Sequence, residues 1–133
     1  MKWALKIAAK ISLSRLPVSY KLWKLIGIFR HGRMDTTEYP IKIFDLHIKR
    51  AYSKGLPSDS IILELGPGDS IASALLGYAN NAKFTYLVDV GFFANKDINI
   101  YRKLAGELKQ KGFRVPDFSL TNDLKDVLFA CNS

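Results

Sequence analysis

The residues whose types and spacing indicate chemistry begin with two glycines that follow an apolar run. Residues 60–65 read SIILEL, which is typical of a buried parallel strand, and Gly66-Pro67-Gly68 then predicts a sharp turn. Since glycine has no β-carbon, the backbone at Gly66 and Gly68 can turn tightly and approach a ligand closely. A turn at the carboxyl end of a strand is also where open α/β sheets bind their ligands.

Acidic residues surround this turn and restrict what it can bind. Glu64 and Asp69 flank the glycines, Asp89 follows the next apolar run, and no Lys or Arg occurs between Lys54 and Lys83. An acid at the position of Asp89 can accept hydrogen bonds from both hydroxyls of an adenosine ribose. A pyrophosphate would be repelled by these acids by about several tenths of a kcal/mol or more. A ligand with a positive sulfonium and an ammonium group would be attracted.

The spacing excludes two common nucleotide motifs. A dinucleotide fingerprint needs a third glycine where Ile71 stands, and a Walker loop needs Lys followed by Ser or Thr after its second glycine. S-adenosylmethionine, which has no phosphate, fits the turn better. Ligand-free alternatives stay open: a plain strand–helix turn at the glycines, a helix cap or solvated strand end at Asp89, and a helix cap at Glu64.

At these residues the sequence resembles class I S-adenosylmethionine-dependent methyltransferases. Their acid-x-Gly-x-Gly turn is matched by residues 64–68 and their second-strand acid by Asp89, while the strings ILELGPGDS, YLVDVGFFA and FRHGRMD are similar to a bacterial branch associated with sugar and polysaccharide biosynthesis. The resemblance implies these cofactor-binding residues: Glu64, Gly66, Pro67, Gly68, Asp89 and Val90. It places the glycines along the methionine part, Glu64 at its amino group, Asp89 at the ribose, and Val90 near the adenine.

The same resemblance implies methyl transfer to an oxygen, or to a nitrogen, of a small-molecule or saccharide acceptor. Such a transfer is an in-line displacement that depends mainly on positioning. No catalytic residue is identified, and a base would come from the loop around His31 or from outside these residues. Ser70 replaces the family's frequent third glycine. Because family members continue well past residue 133, we expect a truncated N-terminal part with little turnover of its own.

The remaining segments predict an α/β fold. Helical spacing of apolar residues extends over Ile41–Tyr52, Ile71–Asn80, Asp97–Lys111 and, more briefly, Leu120–Ala130. A second strand is predicted at residues 84–90, and a third at 113–118, where Pro116 restricts it to a sheet edge. The expected architecture is a partial Rossmann-like doubly wound parallel sheet, with its first two or three strands, preceded by basic amphipathic helices. We therefore assign residues 1–57 to a helical extension and residues 58–133 to the methyltransferase half-domain.

The charge lies almost wholly at the N-terminus. There are 20 Lys and Arg against 12 Asp and Glu, a net charge of +8, and the excess falls within residues 1–34. For residues 2–33 three interpretations remain: solvated helix faces packed on the domain, contact with an anionic membrane surface, and nucleic-acid binding. The last is disfavoured because no aromatic–basic fold pattern accompanies the charge.

Composition limits the kinds of site that the chain can hold and the compartment in which we expect it. Cys131 is the only cysteine and His31 and His47 are the only histidines, so neither an intrachain disulfide nor a metal site is expected. No apolar run is long enough to span a membrane. We expect a cytoplasmic protein, with peripheral membrane contact as an option. The alternative to an enzyme is a non-catalytic cofactor-binding or scaffold half-domain, completed by self-association through an open sheet edge or by a partner chain.

Overall fold

The computed structural model describes Ile11 and residues 36–133. The chain divides into two compact units, Met1–His31 and Gly32–Ser133. Of the first unit only Ile11 is described, so the predicted basic amphipathic helices and the basic segment at residues 2–33 otherwise lie outside the described residues. The second unit includes the helix that the sequence assigned to the N-terminal extension.

The described part is a mixed α/β structure with a small parallel sheet. Its elements, in chain order, are α1 (Glu38–Ala51), β1 (Ile61–Leu65), α2 (Ala72–Ala79), β2 (Phe84–Val88), α3 (Ile98–Gln110) and α4 (Leu124–Ala130). The two strands pair in parallel, with the register running from Ile61 opposite Phe84 to Leu65 opposite Val88. The predicted α/β class and the first two predicted strands are therefore confirmed.

The helices begin and end where the local chemistry requires. Asn81 adopts a φ of 60° directly after α2, and Gly112 a φ of 82° directly after α3, as at many helix C-termini. At the other ends, the Asp97 side chain accepts a hydrogen bond from the Asn99 N–H, and Asp123 forms a reciprocal capping box with Asp126. The cap at Asp97 therefore ends the connection that leaves β2.

Helix α2 is the centre of the core. It packs against β2 and against helices α1 and α3, and α3 also packs against α4. A β-carbon at Gly77 would lie 2.5 Å from the Thr85 hydroxyl oxygen, so the helix backbone approaches β2 directly. The larger buried apolar side chains come from all four helices and from the segment before α4: Phe44, Ile71, Leu75, Leu76, Tyr101, Leu104, Leu108, Phe118 and Val127.

The opposite side of the sheet is not covered by any described residue in the way that a parallel sheet requires. Five of its side chains are between 51% and 74% exposed: Ile61, Leu63 and Leu65 from β1, and Tyr86 and Val88 from β2. We call these five residues the open face. The prediction of a buried strand was therefore wrong for this side of β1, because the described helix that packs on the sheet, α2, lies on the other side.

The third predicted strand was also wrong. Residues 113–118 form no strand. Pro116 has no N–H for a ladder, and it is buried with Phe118 instead. The Arg114 guanidinium lies 3.8 Å from the centre of the Tyr78 ring. This segment therefore packs on the core through its side chains, without strand pairing.

Candidate functional site

The glycine turn follows β1 without a gap. The Gly66 N–H donates to the Val88 carbonyl oxygen at 2.8 Å, which extends the pairing one residue beyond the strand. Gly66 then has a φ of 72° and Gly68 a φ of 64°, in the left-handed region. A β-carbon at Gly66 would meet nothing within 4 Å, and at Gly68 nothing closer than the Gly66 carbonyl oxygen at 3.9 Å. The backbone conformation, and not lack of space, is what favours glycine at both positions.

Asp89 lies against this turn, as the carboxyl ends of two parallel strands must meet at one edge. Its Oδ2 accepts a hydrogen bond from the Gly68 N–H at 2.9 Å, and its Oδ1 accepts one from the Val90 N–H at 2.7 Å. The structure thus brings together two residues that the sequence placed in one site. A carboxylate offers about four lone-pair positions, so Asp89 retains acceptor capacity for further donors.

Glu64 carries the unsatisfied acceptor of the site. It belongs to the covered side of the sheet, in register with Leu87, which packs against the core. Its Oε2 atom is buried and has no hydrogen-bond partner among the described residues. A buried carboxylate oxygen without a donor is unfavourable by about 1–3 kcal/mol or more, so a donor from a ligand would be stabilising here.

The other predicted site residues differ in exposure. Pro67 is half-buried within the turn, whereas Val90 is 98% exposed and Phe92 projects fully into solvent. Phe93 covers the backbone of Gly91, where a β-carbon would lie 2.9 Å from the ring. The loop after β2 therefore presents apolar side chains beside the Asp89 carboxylate, a combination that suits a heteroaromatic ligand.

Two residues of this region were missed by the sequence interpretation. The Tyr101 hydroxyl accepts a hydrogen bond from the Ile71 N–H at 3.3 Å and donates to the Asn95 carbonyl oxygen at 3.1 Å. The Asn95 N–H in turn donates to the Asp69 carbonyl oxygen at 2.9 Å. In the sequence, Tyr101 falls among the apolar residues of the helix predicted at Asp97–Lys111. Its hydroxyl, in a stripe of Leu and Ala, was the one available indication.

The other charged and nucleophilic side chains that the structure describes add no second site. His47 is exposed on α1, and His31 lies outside the described residues. Burial raises the pKa of the Cys131 thiol to about 12, so the thiol is neutral and unreactive near neutral pH. Among residues 36–133 and Ile11, no cluster of His, Cys, Asp and Glu could hold a metal ion. No helix in the same residues is both long and apolar enough to cross a membrane.

Comparisons of the chain with models of known protein families, with curated proteins and with solved structures found no match. The function is therefore inferred from the site itself. The site combines two left-handed glycines, an aspartate bonded to the turn and a buried glutamate oxygen without a partner among the described residues.

Proposed function

We propose that residues 61–89 form the cofactor half-site of a class I S-adenosylmethionine-dependent methyltransferase with a Rossmann-like sheet. The observation that carries the proposal is the 2.9 Å hydrogen bond that joins Asp89 to the Gly68 N–H. It places the acid after the second strand at the glycine turn after the first, across a β-α-β unit. This is the arrangement in which an adenosine ribose is bound between two strand ends.

The charge around the turn supports this cofactor over phosphate-bearing nucleotides. Glu64, Asp69 and Asp89 surround the turn, and no Lys or Arg occurs between Lys54 and Lys83. S-adenosylmethionine carries a sulfonium and an ammonium group, which these acids attract. The unsatisfied Oε2 of Glu64 offers an acceptor to the ammonium group.

The reaction would move one methyl group from sulfur to the acceptor. A nucleophilic oxygen, or a nitrogen, of a small-molecule or saccharide acceptor attacks the methyl carbon as the carbon–sulfur bond breaks. Sulfur keeps the electron pair, which leaves S-adenosylhomocysteine, and the acceptor loses a proton to a base. In this scheme the described residues hold and orient the cofactor. The acceptor is the second substrate, and the base comes from a group outside the described site.

Isothermal titration of the full chain with S-adenosylhomocysteine tests the proposal directly. We expect saturable binding with one site per chain, and much weaker binding of NAD or ATP. Asp89→Ala should weaken binding, since it removes both the ribose acceptor and the anchor of Gly68. A chain that is folded by circular dichroism and gives no heat and no shift in melting temperature with S-adenosylhomocysteine would refute the proposal.

Glu64→Gln is the sharper variant, because it separates cofactor binding from stability. It removes a charge-assisted hydrogen bond of about 1.5–3 kcal/mol to the ligand, so affinity should fall roughly 10- to 100-fold. It also changes a buried oxygen that has no hydrogen-bond partner among the described residues, so the melting temperature should stay the same or rise. Asp45→Asn, at an exposed acid on α1, is the matched control and should change neither quantity. Unchanged affinity in Glu64→Gln would remove Glu64 from the cofactor site.

The open face favours a second candidate function, a scaffold half-domain that is completed by a second copy of the chain. Phe129 lines a cavity of about 540 Å³ beside this face, together with Ile61 and Tyr86. With Phe129 added, the open face presents six large apolar side chains that are each more than half exposed, which is typical of a surface that a partner covers. Both strands are also edge strands among the described residues, which permits pairing between copies.

Size-exclusion chromatography with light scattering distinguishes the two candidates. Self-association predicts a dimer at micromolar concentration and a monomer after Leu63→Lys, which places a charge at the centre of the open face. Leu120→Lys, at an exposed leucine outside the sheet, should leave the dimer intact. A wild-type monomer at every concentration tested would exclude the self-association candidate.

A further inference from the structure

Tyr101 contacts the backbone of both loops that form the candidate cofactor site. Its side chain is 1% exposed, on the buried side of α3. Its hydroxyl accepts from the Ile71 N–H at 3.3 Å, at the start of α2, and donates to the Asn95 carbonyl oxygen at 3.1 Å, in the loop after β2. Both bonds therefore go to backbone groups of the two loops, one in each.

Two further bonds join the same loops. The Asn95 N–H donates to the Asp69 carbonyl oxygen at 2.9 Å, and Asp89 accepts from the Gly68 N–H at 2.9 Å. Hydrogen bonds through Asp89, Asn95 and Tyr101 thus join the segment from the glycine turn to the start of α2 with the loop after β2. Of these three, Tyr101 alone belongs to a helix or strand. Its hydrogen bonds therefore attach both loops to the buried helix α3.

We propose that Tyr101 is a positioning residue, whose hydroxyl holds the glycine turn at its working distance from Asp89. For cofactor affinity the inference rests on the proposed function, because the distance between turn and acid then sets the fit to the ligand. Tyr101 itself is buried behind both loops and binds no ligand. Its effect is transmitted through Ile71 and Asn95.

The ring and the hydroxyl of Tyr101 contribute in different ways. The ring fills the core beside Leu104 and Ala105, and phenylalanine would fill the same volume. The hydroxyl adds no apolar contact, but it satisfies one of the N–H groups at the start of α2 that have no partner within the helix. Burial raises the pKa of the phenol above its ordinary value, so the hydroxyl keeps its proton and remains a donor to Asn95 near neutral pH.

The test is Tyr101→Phe in the full chain, titrated with S-adenosylhomocysteine at a temperature at which every variant is folded. We expect the affinity to fall about five- to tenfold, the effect of removing one buried hydrogen-bonding group. The matched control is Leu108→Val, at a residue 2% exposed on the same helix that makes no hydrogen bond to either loop. It should lower the melting temperature and leave the affinity unchanged. Equal affinities of Tyr101→Phe and the wild type would overturn the role in ligand fit.

A ligand-free measurement makes the inference independent of the proposed function. Amide hydrogen exchange, followed by NMR, should become faster at Gly68 and Ile71 in Tyr101→Phe, while the amides of Leu104 and Leu108 keep their protection. In Leu108→Val the pattern should reverse. If the wild type fails to bind S-adenosylhomocysteine, the cofactor proposal falls, and the exchange at Gly68 still decides whether Tyr101 holds the turn. Unchanged exchange at Gly68 in Tyr101→Phe would overturn the positioning role.

Discussion

In a sheet with one side in solvent, polar side chains normally lie on the exposed face and apolar ones on the covered face. The two faces of this sheet show the reverse. The covered side carries Glu64 and Thr85, and each has a buried oxygen without a hydrogen-bond partner among the described residues. The open face is apolar throughout, with Ile, Leu, Tyr and Val side chains more than half exposed. In these two strands, therefore, the exposed side chains are mainly apolar and the polar side chains Glu64 and Thr85 lie on the covered side.

This difference indicates what each face is suited for. Parallel sheets are normally covered on both sides, and the open face has the composition of such an interior. A contiguous apolar surface of this size marks an interaction site more often than a solvated surface. On the covered side, an unsatisfied acceptor near the end of β1 is unfavourable for folding by itself.

The largest expected effect separates the core helix from the open face. Leu75 on α2 is 0% exposed and Leu63 on the open face is 60% exposed. Leu75→Ala should lower the free energy of unfolding by about 2–5 kcal/mol, because it leaves a cavity in a packed core. Leu63→Ala should lower it by less than about 1 kcal/mol. Urea denaturation followed by circular dichroism measures both. Similar losses in the two variants would show that the open face is buried in solution.

The close approach of α2 to β2 provides the next comparison. Gly77→Ala should lower stability by about 1–3 kcal/mol, since the new methyl group would lie 2.5 Å from the Thr85 hydroxyl oxygen. Gly106→Ala on α3 meets nothing within 4 Å and should raise stability by about 0.5–1 kcal/mol through higher helix propensity. Thermal melting of the two variants should therefore shift in opposite directions. A stable Gly77→Ala would mean that α2 lies farther from the sheet.

A smaller effect tests the unsatisfied hydroxyl on the covered side. Thr85→Val should raise stability by about 1 kcal/mol, because it replaces a buried oxygen without a partner by a methyl group of similar size. The control is Thr121→Val, because the buried Thr121 hydroxyl donates to the Phe118 carbonyl oxygen at 2.8 Å. This variant should be less stable than the wild type by about 1 kcal/mol. A loss in both variants would indicate that Thr85 has a hydrogen-bond partner in solution.

The smallest effect at neutral pH concerns Cys131, which is 1% exposed while nearby Phe129 is 86% exposed. Burial raises the pKa of this thiol from 9.0 to about 12. A folded-state pKa above the unfolded value means that its contribution is complete below pH 9 and is lost as the pH rises from 9 to 12. The alkaline fall in stability should thus be steeper in the wild type than in Cys131→Ala. Iodoacetamide should label the folded thiol only slowly, and rapid labelling would contradict the burial.

Much of the backbone could be predicted from local sequence. The glycines after β1, the asparagines after α2 and Gly112 after α3 each determine a turn through their own conformational preferences, so these boundaries fell within one or two residues. The meeting of Gly68 with Asp89 was also predictable, because it follows from the parallel pairing of the two strands. S-adenosylmethionine itself stays a prediction.

What could not be predicted depends on contacts between distant residues. The run SIILEL indicates a strand, but an apolar run cannot show which side is covered. In residues 113–118 the apolar residues indicated a strand, whereas the packing of Pro116 and Phe118 decided against one. The hydroxyl of Tyr101 bonds to residues 30 and six positions away, and no periodic pattern encodes such a bond.

The left-handed glycines of the turn also limit how the protein can vary. A single base change converts a glycine codon to one for Asp, Ala, Ser, Val or another L-residue, and of these Asp tolerates the left-handed region best. At Gly66 or Gly68 an aspartate would add a fourth negative charge beside Glu64, Asp69 and Asp89. In a library of single-base changes selected for cofactor binding, both positions should therefore remain almost invariant, although a side chain would have room at each.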